Sequence, residues 1–329
     1  MTSEPGEASL RHDRQQGVHG AWLEQTIMPT HLKRLVHARM EKTGESYQQA
    51  LRHVRAQAPD AGAADAPPSQ ERIARSRTLA DTAFSIAVVR AEEATRPDAD
   101  RLFGDPYAAM FAAAGTHVAE STQRFLELPF FRDGVRLRTR YIDDAVRAGL
   151  AAGLDQIVLL GAGFDARGLR MPEIVARSAS VYEVDTAEQL ARKRKILAAA
   201  GLKLPARIAH VPFDFDDAAF EQTLLSALEA KGFRRHAGAV FVWEGVIGYI
   251  DRDAIERSLR FMASAGGPRS RLIFTFGEGS FVPNTAAEVT QQAGFTSCEE
   301  LGGDELWHRY LPGEAHPHAF LMKVGTAVV

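Results

Sequence analysis

Residues 157–170, IVLLGAGFDARGLR, join a short apolar run to a glycine-containing turn and then to a helical pattern. Similar apolar runs recur at VYEV (181–184), AVFVW (239–243) and RLIFTF (271–276), with helical stretches between them. The segment AFLMKVGTAVV (319–329) predicts one more strand. Strands that alternate with helices predict a parallel, doubly wound sheet with helices on both faces. The expected fold class is therefore α/β.

The turn after the first strand is the expected ligand site, because ligands of doubly wound sheets bind beyond the carboxyl ends of the strands. Gly161 and Gly163 follow the strand directly, and glycines let a backbone turn tightly and approach a ligand. Asp185 ends the next strand, where a carboxylate can accept hydrogen bonds from two ribose hydroxyls. The spacing predicts a ligand that carries a ribose.

Two classes of ribose-bearing ligand fit this turn, and residues 161–166 also match the dinucleotide pattern G-x-G-x-x-G/A. A dinucleotide such as NAD would place its pyrophosphate at the helix start, where Asp165 would add a like charge. S-adenosylmethionine carries a sulfonium, an ammonium and a carboxylate, which tolerate a nearby aspartate. The local chemistry favours S-adenosylmethionine over NAD, and glycines that serve only helix–strand packing are the remaining alternative.

The composition excludes several classes of protein. Hydrophobic residues make up 45% of the 329 residues, which is too many for a disordered or collagenous chain. The net charge of −3 gives no global positive field to gather nucleic acid or anionic lipid. The single cysteine, Cys298, excludes an internal disulfide and suits a reducing compartment. With no secretion signal and no apolar run of about 20 residues, we expect a cytoplasmic protein without membrane contacts.

A stretch rich in alanine and proline, AQAPDAGAADAPPSQ (56–70), predicts a linker between a helical extension (1–55) and a larger domain (71–329). The extension is too short to bury much surface alone, so we expect it to pack on the larger domain or to form a homodimer. DNA binding by its basic side is a less favoured alternative, because glutamates lie among those charges. Helices predicted at 78–95 and 141–152 would cap the ligand-binding edge of the sheet.

Several separated motifs agree in order and spacing with one family: TAFSIAVVRAEEATRPDADRLFGDPYA (82–108), RTRYIDDAVRAGLAAGLDQIVLLGAGFDARGLRM (138–171), VYEVDTAEQLARKRKILAAAGL (181–202), HVPFDFDD (210–217) and VFVWEGVIGYI (240–250). Together they resemble the leucine carboxyl methyltransferase-like family of S-adenosylmethionine-dependent O-methyltransferases, which includes bacterial enzymes of polyketide biosynthesis. The resemblance covers about residues 76–329. It implies a Rossmann-like class I methyltransferase sheet with a helical cap, and S-adenosylmethionine as the cofactor.

The resemblance also implies which residues hold the amino-acid end of the cofactor. Arg138, the first arginine of RTR, would pair with the methionine carboxylate, since a planar guanidinium can donate two parallel hydrogen bonds to it. Arg90 of VRAEE would reach the same carboxylate. Gly161 would lie beneath the methionine portion. Glu244 of WEGVIGY would lie near the cofactor ammonium and the methyl-transfer centre.

The nucleoside end of the cofactor has its own implied residues. Asp185 would take the ribose hydroxyls, in agreement with the interpretation of the turn. Asp214 would accept from the adenine amino group, and the backbone of Phe215 would contact the ring. Structural alternatives exist for these side chains. Asp185 and Asp214 could be helix N-caps, while Arg138 and Arg140 could pair with the carboxylates at 143 and 144.

The need for a catalytic base depends on the acceptor. A carboxylate acceptor needs none, whereas a phenol or alcohol would be helped by Glu244, His308 or His316, with His318 as a further C-terminal candidate. The segment EAHPH (314–318) has no strong metal-ligand spacing, so no metal is expected. We predict an enzyme that methylates a small molecule in specialised metabolism, with a carboxylate acceptor favoured over a hydroxyl. A non-methylating use of S-adenosylmethionine, such as cyclisation, elimination or aminocarboxypropyl transfer, and an NAD-dependent oxidoreductase are the alternatives.

One departure from the family pattern concerns the acceptor. RLIFTF (271–276) runs almost directly into GEGSFVPN (277–284), whereas polyketide-type members commonly carry an insertion there that helps to roof the acceptor pocket. The N-terminal extension could supply this cover. We therefore expect deletion of residues 1–70 to impair acceptor turnover or assembly while leaving cofactor binding intact.

Overall fold

The computed structural model describes residues 70–115, 127, 129–213 and 220–329, together with residues 38–40, 42–43 and 53. Side chains of the first long helix are described from residue 82 onwards. The predicted extension (1–55) and linker (56–70) therefore lie almost wholly outside the described residues. Their roles, including dimerisation, stay predictions.

Seven strands form one sheet in the order β3-β2-β1-β4-β5-β7-β6, in which the first five strands are parallel and β7 runs antiparallel to both of its neighbours. Helices cover both faces, so the predicted doubly wound, Rossmann-like sheet is confirmed. The strands are β1 (Gln156–Leu160), β2 (Ser180–Asp185), β3 (Ile208–Pro212), β4 (Val240–Trp243), β5 (Arg271–Gly277), β6 (Ser297–Gly302) and β7 (Met322–Val328).

Ten α-helices are present in the described part of the chain, three of them before β1 and the others between the strands. They are α1 (Gln70–Ala94), α2 (Ala108–Ala114), α3 (Pro129–Ala151), α4 (Arg167–Arg170), α5 (Pro172–Ala176), α6 (Ala187–Ala199), α7 (Phe220–Glu229), α8 (Arg252–Gly266), α9 (Ala286–Gln292) and α10 (Gly303–Tyr310). Short 3-10 turns span Ile247–Tyr249 and Ala319–Leu321. None of the helices described is long and apolar enough to cross a membrane.

Several of these elements differ from the sequence prediction; for example, α1 begins at Gln70 rather than near residue 78. Helix α3 begins at Pro129 rather than near residue 141, because its first half carries arginines that face inward and interrupt the apolar pattern. Arg136, for example, is buried and pairs with Glu93 on α1. Strand β6 was not predicted, since its sequence SCEELG is polar and lies at the edge of the sheet.

The core consists of two apolar layers, one on each face of the sheet. Helix α8 packs Phe261 and Met262 against one face, where Phe241 and Trp243 of β4 are fully buried. Helix α3 covers the other face with buried residues such as Ile142. Burying each large apolar side chain contributes about 1.5–3 kcal/mol. These layers fix the carboxyl ends of β1, β2 and β4 side by side, which is where the predicted site lies.

Candidate functional site

The turn that follows β1 is built on two glycines with left-handed backbone. Gly161 has φ +68° and Gly163 has φ +47°. The amides of Gly161 and Ala162 both donate to the carbonyl of Val184 in β2, at 2.8 and 3.0 Å. A Cβ at residue 161 would lie 2.3 Å from Cγ2 of Val246, so both conformation and space require glycine there. At Gly163 the nearest neighbour would be 3.6 Å away, so conformation alone favours glycine.

Asp185 ends β2 beside this turn. Its Oδ2 accepts a hydrogen bond from the amide of Gly163 at 2.7 Å, and its Oδ1 accepts from the amide of Thr186 at 2.7 Å. Burial raises the pKa of Asp185, and the two N–H donors act against that rise. The N-cap of α6 is Thr186, whose hydroxyl accepts from Gln189. The alternative role of Asp185 as a helix N-cap is therefore wrong, and its carboxylate keeps lone pairs that face the turn.

Glu244 follows β4 directly, and three guanidinium groups surround its carboxylate. Its Oε1 accepts from Nε of Arg138 at 2.9 Å and from Nη2 of Arg90 at 3.1 Å. Its Oε2 accepts from the same Nη2 of Arg90 at 3.0 Å and from Nη1 of Arg167 at 2.9 Å. Burial alone would raise the pKa of Glu244, but these cations hold it well below its ordinary value of 4.5. The group is a permanent carboxylate in the neutral pH range.

Arg90 and Arg138 have unused hydrogen-bond donors at this position. Nε of Arg90 is buried and has no hydrogen-bond partner among the described residues, although the side chain is only 6% exposed. Arg138 bonds to Glu244 through Nε, and its two Nη groups make no hydrogen bond to the described part of the chain. Burial lowers the pKa of Arg138, with Glu244 opposing that shift and Arg90 adding to it. An unpaired buried donor such as Nε of Arg90 is costly, which favours an anion at this position.

Of the alternative ion pairs proposed from the sequence, the one of Arg140 is present and the one of Arg138 is not. Arg140 does pair with Asp144, at 3.0 Å, on the outer side of α3. Arg138 pairs with neither carboxylate of its own helix. Asp143 instead bonds to Arg167 at 2.8 Å and to Arg170 at 2.7 Å, in the interior. The helix α3 thus presents Arg138 to the site and Asp143 to the arginines that support it.

Sequence reasoning missed this second group of charges beneath the site. Arg167 is fully buried and bonds at once to Glu244, Asp143 and Asp165. Arg170 lies next to it and also reaches Asp105, with Nε 3.7 Å from the carboxylate. The sequence signal for Arg167 and Arg170 is weak: it consists of two arginines three residues apart in ARGLR, directly after the glycine turn. The network ties the turn, α3 and the end of β4 together.

Asp165 does not present an uncompensated charge to the turn, contrary to the expectation from the sequence. Its carboxylate turns inward and pairs with Arg167, so its charge is compensated and does not repel a phosphate as the sequence suggested. A different feature disfavours a pyrophosphate at this position. The following helix, α4, has only four residues and therefore little dipole to offer an anion.

The candidate bases are placed less favourably for proton transfer. The C-terminal residues reach the ligand-binding edge because Met322 of β7 pairs with Gly277 at the end of β5. There, the ring of His316 lies 5.6 Å from that of Phe130, and its Nδ1 accepts from the amide of His318 at 3.1 Å. Burial and the neighbouring His318 lower the pKa of His316. His308 is exposed on α10.

Two predicted cofactor residues, Asp214 and Phe215, lie outside the described residues. The chain leaves β3 at Phe213, whose amide donates to the carbonyl of Asp185 at 2.8 Å. In the described ranges, no group of three histidine, cysteine or acidic side chains could hold a metal ion. The structure therefore gathers six predicted residues at one edge of the sheet: Arg90, Arg138, Gly161, Gly163, Asp185 and Glu244.

Comparisons with known proteins agree with this geometry. A family model for leucine carboxyl methyltransferase matches residues 83–263. A Streptomyces avermitilis protein, named as an S-adenosyl-L-methionine-dependent methyltransferase, is 32% identical over 231 residues, which cover 67% of this chain and 76% of that protein. Proteins with the same name in Streptomyces coelicolor and Frankia alni are 32% and 31% identical, over 63% and 60% of this chain and 72% and 68% of their own lengths.

Proposed function

Because the chain belongs to the leucine carboxyl methyltransferase family of S-adenosylmethionine-dependent methyltransferases, we propose that it methylates an oxygen atom of a small-molecule acceptor, and that this oxygen belongs to a carboxylate. The resemblance to polyketide-type enzymes supports an acceptor from specialised metabolism, handled in the cytoplasm. The choice of a carboxylate depends on one observation: Glu244, His308 and His316 are not placed to accept a proton. His318 is the one candidate whose ring keeps a buried nitrogen, Nδ1, without a hydrogen-bond partner in the described part of the chain.

The residues at the edge of the sheet fit the cofactor. Each carboxylate oxygen of Asp185 accepts one hydrogen bond from the backbone and retains a lone pair that can accept from a ribose hydroxyl. The missing side chain at Gly161 leaves room for close approach of the methionine portion. The unused donors of Arg90 and Arg138 suit the α-carboxylate, since a guanidinium pairs with a carboxylate through two parallel bonds.

Glu244 supports this site in a different way from the one that the resemblance implies. Each of its oxygens already accepts two guanidinium hydrogen bonds. Direct contact with the cofactor ammonium therefore requires Glu244 to exchange one of these bonds. In the described arrangement it holds the guanidinium of Arg138 by Nε and leaves both Nη groups for the cofactor carboxylate.

The cofactor supplies a methyl group that its sulfonium has already activated. What the chain must add is alignment of the acceptor oxygen with the sulfur–methyl bond and exclusion of water. A rigid set of buried ion pairs around Glu244 suits that task, because its members do not have to reorganise during the reaction.

Three of the candidate bases are poorly suited to accept a proton from the acceptor. Glu244 has a strongly lowered pKa and filled lone pairs, so it cannot act as a base. The basic nitrogen of His316 is Nδ1, which already accepts from the amide of His318. His308 is exposed on α10. An acceptor that is already ionised needs no base, which favours a carboxylate over a phenol or an alcohol.

Calorimetric titration with S-adenosylmethionine, S-adenosylhomocysteine and NAD tests the cofactor. We expect micromolar binding of the first two ligands and none of NAD. Transfer of a labelled methyl group is then measured with carboxylic acids and, as matched controls, with the corresponding alcohols and phenols. Methyl esters as the products, at a rate constant that stays flat between pH 6 and 9, would support the proposal. Turnover of the hydroxyl compounds alone would contradict it.

A further inference from the structure

A lysine and a glutamate form a fully buried ion pair beneath the glycine turn. Lys193 of α6 and Glu183 of β2 are both 0% exposed, and Nζ lies 2.7 Å from Oε2. Nε2 of His210, which pairs with Glu183 across β2 and β3, lies 3.0 Å from the same oxygen. Replacing such a pair by well-packed apolar side chains is often neutral or stabilising. Stability alone therefore gives no reason for a lysine at this position.

The lysine has a second partner, which belongs to the turn. Nζ of Lys193 also donates to the backbone carbonyl of Asp165, at the end of the segment that begins with Gly161. The amide of Asp165 closes the turn by donating to the carbonyl of Ala162 at 2.7 Å. The carboxylate of Asp165 pairs with Arg167. Lys193 is thus attached at the point where the turn meets the buried arginines.

Three consecutive residues of β2 hold the turn in different ways. The carboxylate of Asp185 accepts from the amide of Gly163. The carbonyl of Val184 accepts from the amides of Gly161 and Ala162. Glu183 acts through Lys193, whose ammonium reaches the carbonyl of Asp165. Residues two apart in a strand lie on the same face, so Glu183 and Asp185 face the same turn. Asp185 bonds to it at Gly163, and Glu183 is connected to it at Asp165 through Lys193.

We propose that Lys193, held by Glu183, is a positioning residue for S-adenosylmethionine. By fixing the carbonyl of Asp165, it sets the path of the turn and places the amide of Gly163 against Asp185. It touches neither the acceptor nor the reacting atoms. This inference rests on the proposed function, because the turn matters to activity only if it carries the cofactor.

The test replaces the ion pair as a whole. The double variant K193M/E183L removes both charges, so no unpaired buried charge remains and the fold is expected to keep most of its stability. It also removes the hydrogen bond to Asp165. Lys195, which is exposed on the same helix, provides the matched control K195M. Cofactor affinity is measured by calorimetry, and amide hydrogen exchange is measured in the peptide that contains residues 161–166.

We expect the amide hydrogens of the turn to exchange faster in the double variant than in the parent. The variant should also bind S-adenosylmethionine at least about tenfold more weakly, because it lacks one hydrogen bond from a charged group. K195M should match the parent in both measurements. Unchanged affinity, or unchanged exchange in the turn, would overturn the proposal. If the parent itself fails to bind S-adenosylmethionine, the proposed function fails and the positioning role with it, while faster exchange in the variant would show only that Lys193 fixes the turn.

A second comparison, between two single variants that each leave one buried charge unpaired, separates the loss of the ion pair from the loss of the bond to Asp165. E183Q and K193M both lose the ion pair, but only K193M loses the bond to Asp165, because the glutamine amide oxygen can still accept from Lys193. We expect E183Q to retain the parent affinity and K193M to lose it. Equal losses in the two variants would show that the pair acts only through stability and would overturn the proposal.

Discussion

Substitution of Gly161 by alanine separates the two reasons why glycine is needed in the turn. The backbone at residue 161 is left-handed, with φ +68°, which costs an alanine about 1–2 kcal/mol. The new Cβ would also lie 2.3 Å from Cγ2 of Val246, which is buried and cannot simply swing away. Overpacking of this kind costs about 1–3 kcal/mol. We therefore expect Gly161→Ala to lower the free energy of unfolding by about 2–5 kcal/mol.

Gly153 is the matched control for this substitution. It also has a positive φ, +86°, but a Cβ there would meet no atom within 4 Å. Gly153→Ala should cost about 1–2 kcal/mol, the conformational part alone. Urea unfolding, followed by the fluorescence of the buried Trp243, gives both values. A double-mutant cycle with Val246→Ala should recover the steric part of the Gly161→Ala effect. Equal destabilisation by the two glycine substitutions would refute the reasoning.

Two further substitutions test the charges of the site. Asp185→Ala should weaken S-adenosylmethionine binding by about 2–4 kcal/mol, or about thirtyfold to a thousandfold, since both ribose hydroxyls lose a charged acceptor. Unaltered affinity in a folded variant would contradict the assignment of Asp185 to the ribose. Glu244→Gln should lower the free energy of unfolding at pH 7 by about 3–5 kcal/mol, because three arginines lose their anion. The control Glu256→Gln breaks the more exposed pair with Arg252 and should lower it by less than about 1 kcal/mol. The pKa of Glu244 is lowered by folding, so its contribution is complete above the ordinary value of 4.5 and is lost below it. The difference between parent and Glu244→Gln should therefore shrink as urea unfolding is repeated from pH 7 towards pH 3, and a constant difference would contradict it.

The glycine turn and Asp185 could be predicted from the sequence because their determinants are local. An apolar run, two glycines and an acidic residue at the end of the next strand are all visible in 30 residues. The topology of a parallel sheet then brings them to one edge. The structure adds the hydrogen bond between Gly163 and Asp185, which joins the two features directly.

The arginine network could not be predicted in the same way. Glu244 is 154 residues from Arg90, 106 from Arg138 and 77 from Arg167, and no periodic pattern connects positions so far apart. The family resemblance supplied Arg90, Arg138 and Glu244 as separate ligands of the cofactor. It did not show that they bond to one another, nor that Arg167 joins them from below.

Lys193 shows a second limit of sequence analysis. It is the third residue of ARKRK (191–195) and is surrounded by Arg192, Arg194 and Lys195. Nothing in this basic run distinguishes it from its neighbours. Only helix packing reveals that Lys193 is fully buried while Lys195 is exposed. Burial of a single cation in a basic run is decided by the position of its acidic partner on another element, here Glu183.

The position of β7 determines the order in which the sheet can be completed. Strands β5 and β6 do not pair with each other, and both pair with β7, which comes later in the chain than either. During synthesis, β5 and β6 therefore leave the ribosome before β7, and the edges that β7 will cover stay open until it enters between them. Such edges are templates for pairing with other chains. Chains truncated before residue 322 should consequently aggregate, because β7 is the strand that covers the edges of both β5 and β6.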